Sequence, residues 1–191
     1  MMFAARTFLT LTVAVASISP MALMAADTYT ADPVHSSVVF RVKHANTSHA
    51  WGRFDKIEGS FTMDPVDATQ TKLAFTIPTA SVNTNNAARD GHLKSPDFFN
   101  AVQFPTITFA SDSVSKTAKG IEVKGSLTFH GVTKPVSFYL VPTGTGKDMK
   151  GNAIAGIDAN FVVKQSDFGI KTNPGLGDEV SVFVSIEGAK K

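Results

Sequence analysis

GIEVKGSLTFHGVTKPVSFYLV, residues 120–141, alternates apolar and polar side chains on both sides of a His-Gly turn signal. Ile121, Val123, Leu127 and Phe129 share one face before the turn, and Val136, Phe138 and Leu140 share one after it. Period two places every second side chain on the same side of a strand. Two such runs joined by turn residues predict antiparallel strands with one apolar face.

The same pattern runs through most of the chain. SVVFRVKH (residues 37–44) puts Val38, Phe40, Val42 and His44 on one face and Val39, Arg41 and Lys43 on the other. EGSFTMD offers Phe61 and Met63, KLAFTIP offers Leu73, Phe75 and Ile77, and PTITFAS offers Ile107 and Phe109. NAIAGIDANFVVK carries Ala153, Ala155, Ile157, Ala159, Phe161 and Val163, and EVSVFVSIE closes the series. Turn signals such as Asp64-Pro65, KTAKG, GTGKDMKGN and NPGLGDE separate the runs. About eight one-sided strands result, in an all-β chain. Only AARDGHLKSPDFF (residues 87–99) reads as helical, and Pro96 limits it to a couple of turns.

One-sided strands build a sandwich or a closed barrel. Small residues at Ala153, Ala155, Gly156 and Ala159 fit a barrel with space left inside, or accommodate phenylalanines opposite them. Periodicity leaves both open.

The N-terminus has the layout of a secretory signal. Met1 to Arg6 carries one positive charge, FLTLTVAVASI (residues 8–18) is apolar to small, and PMALMAA follows. The apolar run is too short for a membrane span. Cleavage is expected after Ala25 or Ala26, dividing the chain into a signal peptide at 1–26 and one domain at 27–191. A domain of about 165 residues buries a real core. With no cysteine, stability must come from packing, and a lipoprotein anchor is excluded for want of a thiol. Loss of Arg6 leaves 17 basic against 16 acidic residues, which makes no electrostatic case for nucleic acid or an anionic membrane.

Chemistry is sparse. The five histidines (His35, His44, His49, His92 and His130) show no helical i, i+4 pair, and no cysteine completes a zinc site, so no metal is expected. No Gly-x-Ser-x-Gly elbow appears. Asp90 and His92 lie two apart, about 200° around a helix, which disfavours a catalytic dyad. The remaining cluster is NTNNAARDGHLKSPDFFN (residues 83–100). Arg89 offers a planar five-donor fork, Asn86 and His92 add donors, and Phe98 and Phe99 could shield an apolar cavity. The competing reading is local, with Asn86 capping the helix and Arg89 and Asp90 paired on its surface.

DPVHSSVVFRVKH, GRFDKIEGSF, TNNAARDGHLKSPDFFNAVQFPTITFAS, GSLTFHGVTKPVSF and SDFGI, taken in this order, resemble the YceI-like family of polyisoprenoid-binding proteins. The resemblance runs from about Asp32 to Glu187. It implies an eight-stranded antiparallel lipocalin-like β-barrel with a short helix near residues 86–100, a periplasmic location and a long-chain lipid in an elongated cavity. On that reading the protein is not an enzyme and needs no cofactor. It sequesters a polyisoprenoid, isoprenoid quinone or fatty amide, inserts stably in no membrane, and forms a homodimer. Head-group contacts then fall to Arg89, Asp90, His92, Asn86 and His44. The tail falls to Phe40, Val42, Phe61, Phe75, Ile77, Phe98 and Phe99, with Ile107, Phe109, Leu127, Phe129, Phe138, Ile157 and Phe161. One departure is visible. The stretch before SDFGI often carries an arginine in this family, where this chain has Lys164 and Gln165. The alternative function is an enzyme modifying a lipid head group with His92 and Asp90 as acid and base.

Overall fold

In a computed structural model, which describes residues 26–64 and 66–191, the chain forms one antiparallel β-barrel with a single short α-helix. The expected signal segment lies outside the described residues, Ala26 excepted. The strands are β1 (Asp27–Ala31), β2 (Ser37–His44), β3 (Ser48–Phe54), β4 (Glu58–Met63), β5 (Lys72–Pro78), β6 (Val82–Asn83), β7 (Thr106–Thr117), β8 (Gly120–Phe129), β9 (Val132–Lys147), β10 (Ala153–Lys164) and β11 (Leu176–Lys190). The helix, α1, spans Ala87–Lys94 between β6 and β7.

Eleven segments merge into eight bent strands. β1 and β2 both lie beside β11, β4 pairs with β1, and β3 pairs with β2. β5 pairs with β4, and β6 pairs with β3. Each of the first three strands of the barrel is therefore interrupted once, at residues 32–36, 55–57 and 79–81. Pro33 and Pro78 stand at two of these breaks, where a residue without an N–H cannot continue a ladder. From β5 onward each strand pairs with the next, and β11 returns to β1 and β2 to close the ring. Among the described residues the ring is complete except beside β3 and two-residue β6, where the sheet order ends and a short edge remains.

The hairpin of residues 120–141 shows how sequence sets register. Phe129 pairs with Val132 across a two-residue turn in which His130 (φ 51°) and Gly131 (φ 74°) both adopt left-handed backbone. That is a type I′ turn, whose twist matches the flanking strands. It pairs Val123 with Phe138 and Ile121 with Leu140, so the apolar positions of both strands face the barrel interior.

The interior divides along its length. Near the bend between β1 and β2, Tyr29, Phe61, Leu73, Val123, Leu140, Ala155 and Ile186 are buried and packed together. Towards the opposite end, Val82, Phe98, Phe99 and Ile170 form a second buried cluster beneath α1. Between the two lies open space.

Candidate functional site

The space is a cavity of about 1370 Å³, mouth included, lined almost wholly by apolar side chains. Alternation along each strand delivers its wall: Phe40 and Val42 from β2, Phe75 and Ile77 from β5, Ile107 and Phe109 from β7, Leu127 and Phe129 from β8, Phe138 from β9, and Ile157 and Phe161 from β10. Phe98 and Phe99, from the turn after α1, complete it. Thirteen of the fourteen expected tail positions therefore line the cavity.

Phe61 is the exception. It is only 1% exposed, stacks on Tyr29 at 5.3 Å between ring centroids, and fills the closed end below the cavity. Alternation correctly turned it inward, but says nothing of height along the barrel axis.

The walls form a run of touching rings. Phe40, Phe54, Phe99, Phe129 and Phe168 follow one another at 5.2–6.2 Å, and Phe109, Phe138 and Phe161 do so at 5.2–5.3 Å. All these pairs are edge-on or tilted, as suits the aromatic quadrupole, except Phe138 and Phe161, which stack. Two rings lie flat because the strand beside them has no side chain. A Cβ at Gly52 would fall 2.3 Å from Cζ of Phe40, and one at Gly125 would fall 2.5 Å from Cζ of Phe109. Glycine there lets the ring fold against the wall and leave the centre free. Among the small residues expected to make room, Ala159 lines the cavity, whereas Ala155 packs into the closed-end core.

The polar cluster of residues 83–100 behaves differently. Asn86 caps α1, its side-chain oxygen accepting from Arg89 N–H at 3.0 Å. Asp90 accepts from the Thr84 N–H at 2.8 Å and from its hydroxyl at 2.5 Å. Arg89 donates from Nε to Thr84 Oγ1 and from Nη2 to the Thr84 carbonyl, both at 2.8 Å. Buried Thr84 is thus the hub that fastens α1 to β6, and sequence reasoning missed it. Arg89 and Asp90 meet through Thr84 and not directly. His92 packs edge-on against Phe98 at 4.8 Å and faces Asp97 at 3.6 Å. Asp90 and His92 are therefore engaged with different partners. None of Asn86, Arg89, Asp90 and His92 lines the cavity; Leu93, on the same helix, does. His44 stands exposed at the end of β2, outside the wall on which its alternation with Phe40 and Val42 had placed it.

Three polar residues belong to the cavity wall, Thr108, Gln165 and Asp158; alternation turns Thr108, between inward Ile107 and Phe109, to the outer face. Gln165 belongs, with Lys164, to the stretch where the family pattern had suggested an arginine. Its Nε2 donates to the Gly177 carbonyl at 2.9 Å, which ties the turn at 165–168 to β11. The next residue, Ser166, is held by Asp178 through its N–H at 2.9 Å and hydroxyl at 2.7 Å. These bonds, the Ser166 hydroxyl first, hold the Asp178 carboxyl below its ordinary value of 3.8. Asp158 lies between inward Ile157 and Ala159, so alternation aims its side chain to the outer face. There it borders a shallow groove with Val39, Val141 and Phe183.

Geometry of this kind defines a class: a closed antiparallel barrel with one packed end and one deep apolar cavity, shaped to enclose a long apolar molecule. A family model described as the YceI-like domain matches residues 29–188. The chain belongs to that family. It is 43% identical over 157 residues to a UPF0312 protein of Yersinia enterocolitica, covering 82% of each chain. It is 40% identical over 158 residues to Protein YceI of Escherichia coli O157:H7, covering 82% of this chain and 83% of the relative. Among solved structures, Burkholderia cenocepacia BcnA superposes with a TM-score of 0.74 at 24% identity, over 82% of this chain and 98% of that one. A polyisoprenoid binding domain from Saccharophagus degradans gives 0.64 at 17% identity, over 85% and 98%.

Proposed function

We propose that this protein is a periplasmic carrier that sequesters one long-chain amphiphilic lipid, a polyisoprenoid, isoprenoid quinone or fatty amide, without altering it. The cavity carries the reading. Its wall is almost purely apolar, and each CH2 moved into it from water contributes about 0.8 kcal/mol. A tail of roughly 20 carbons then has ample driving force after ordering costs of several kcal/mol. The likeness in fold to a domain described as polyisoprenoid-binding supports the ligand class. Among the described residues no Arg or Lys lines the cavity, which favours an uncharged head group, with Gln165 as the available hydrogen-bonding group. Engagement of Asn86, Arg89 and Asp90 in anchoring α1 makes them supports of the mouth, and weakens the rival reading in which Asp90 and His92 act as acid and base.

Native mass spectrometry of the protein purified from the periplasm without detergent tests this directly. A discrete added mass that extracts as an unchanged isoprenoid, quinone or fatty amide is the expected result. An apo mass that persists after titration with a polyprenyl lipid would refute it.

As a partner we propose a second copy of the chain, packed on the outer face of β3, β2, β11, β10 and β9. Trp51 and Phe183 stack there at 5.8 Å, with the Arg41 guanidinium carbon 5.6 Å from each ring, and Val39 and Val141 extend the apolar surface. Arg41 Nε and Asp158 Oδ1 are buried on this face without partners. A single apolar patch of this kind pairs with its own copy about a twofold axis in an isologous interface. Sedimentation analysis should find a dimer that Phe183→Asp converts to monomer; a wild-type monomer would dismiss the interface.

A further inference from the structure

We propose that Asp32, His35 and Glu187 form a binding site for one divalent transition-metal ion, with zinc the best match, at the bend between β1 and β2 and outside the lipid cavity. His35 Nδ1 lies 2.8 Å from Asp32 Oδ2 and 3.8 Å from Glu187 Oε1, and the three ligand atoms fall within 4.8 Å of one another. Ligands around a tetrahedral zinc with bonds of about 2.0–2.1 Å stand about 3.3 Å apart, so small side-chain rotations bring these three atoms onto one ion.

The backbone beneath them is fixed. Asp32 N–H donates to the Glu187 carbonyl at 2.8 Å, and Glu187 N–H donates to Ser36 Oγ at 3.2 Å. The Val34 N–H binds Asp32 Oδ1 at 2.8 Å, which turns Oδ2 towards the imidazole. Such support around a ligand carboxylate orients it for a metal.

The charges suit a divalent ion. A single proton on Nδ1 serves Asp32 at 2.8 Å, while the Glu187 carboxylate stands 3.8 Å away and partly exposed. Among the described residues no hydrogen bond to the Glu187 carboxylate is seen. One divalent cation satisfies both carboxylates and neutralises their charge of −2. The imidazole selects a borderline metal such as zinc over calcium or magnesium, which take oxygen ligands. Histidine spacing could not reveal this set, because its third member comes from the other end of the chain.

The ion would join the bend between β1 and β2 to β11, where the barrel closes. Its effect is therefore on stability, since a ligand bound only by the folded state raises the melting temperature. The test is calorimetric titration of the untagged, chelator-stripped protein with Zn2+, together with melting curves. One equivalent should bind and raise Tm. His35→Ala and Glu187→Gln should each weaken binding by about tenfold or more and remove the Tm rise, with unchanged circular dichroism and lipid retention. His49→Ala, whose exposed side chain stands on β3, should bind zinc as wild type does. Absence of zinc-dependent heat, or undiminished binding in His35→Ala, would overturn the site.

Discussion

The two halves of the barrel interior are built from the same alternating sequence and end in opposite states. At the closed end, Phe61 and Val123 are at most 1% exposed. In the cavity half, Phe40, Phe75, Phe109, Phe129 and Phe161 are only partly buried although they too point inward. The difference lies in what stands across from each ring. Glycine backs all three rings (Gly188 behind Phe61, Gly52 behind Phe40, Gly125 behind Phe109), but only Phe61 has a second ring, Tyr29, stacked on it. Inward direction is thus a property of one strand, and filling is a property of the whole ring of strands.

Substitutions can separate the halves. The largest contrast is expected from Phe75→Asp, which places a carboxylate in the wall of the open half. Lipid retention should be abolished, while circular dichroism stays that of the folded barrel, because a partly exposed position gives the charge access to water. Retention equal to wild type in native mass spectrometry would break the distinction. Next comes a pair of truncations followed by urea unfolding. Phe61→Ala should cost about 3–5 kcal/mol, as for a ring removed from a packed core. Phe129→Ala, beside space already present, should cost less than half as much. Equal losses would mean that the cavity half is packed as tightly as the closed end.

The smallest effect is one of pH at the mouth. The Asp178 carboxyl is depressed in the folded state by its bonds to Ser166. Its contribution is therefore complete above its ordinary value of 3.8 and disappears as pH falls through the lower folded value. Acidification should loosen the turn at 165–168, seen as faster amide exchange there, and Asp178→Asn should show that exchange already at neutral pH.

Most of the fold was legible because a strand declares its faces locally. The hairpin of residues 120–141 contains its own register, and Phe98 and Phe99 announced themselves by following a helix broken at Pro96. What was not legible depends on distance. The bends that split three strands, the height of Phe61, and the pairing of Arg89 and Asp90 through Thr84 each require knowing which segments meet. His44 shows the limit of alternation itself, since the strand ends where its side chain would have turned inward. Gln165 was visible only as a departure from a family pattern, and its place in the wall came from the return of β11.

The single tryptophan has a consequence for how this protein can be watched. Trp51 is half exposed on the outer wall, with a guanidinium and a phenylalanine ring beside it. Its emission therefore reports the outside of the barrel, where an approaching protein surface would change it. Of the two tyrosines, Tyr29 sits in the closed end and Tyr139 points outward. The cavity, lined by phenylalanine, is optically silent in the near ultraviolet, so occupancy must be read from a chromophore that the guest brings with it.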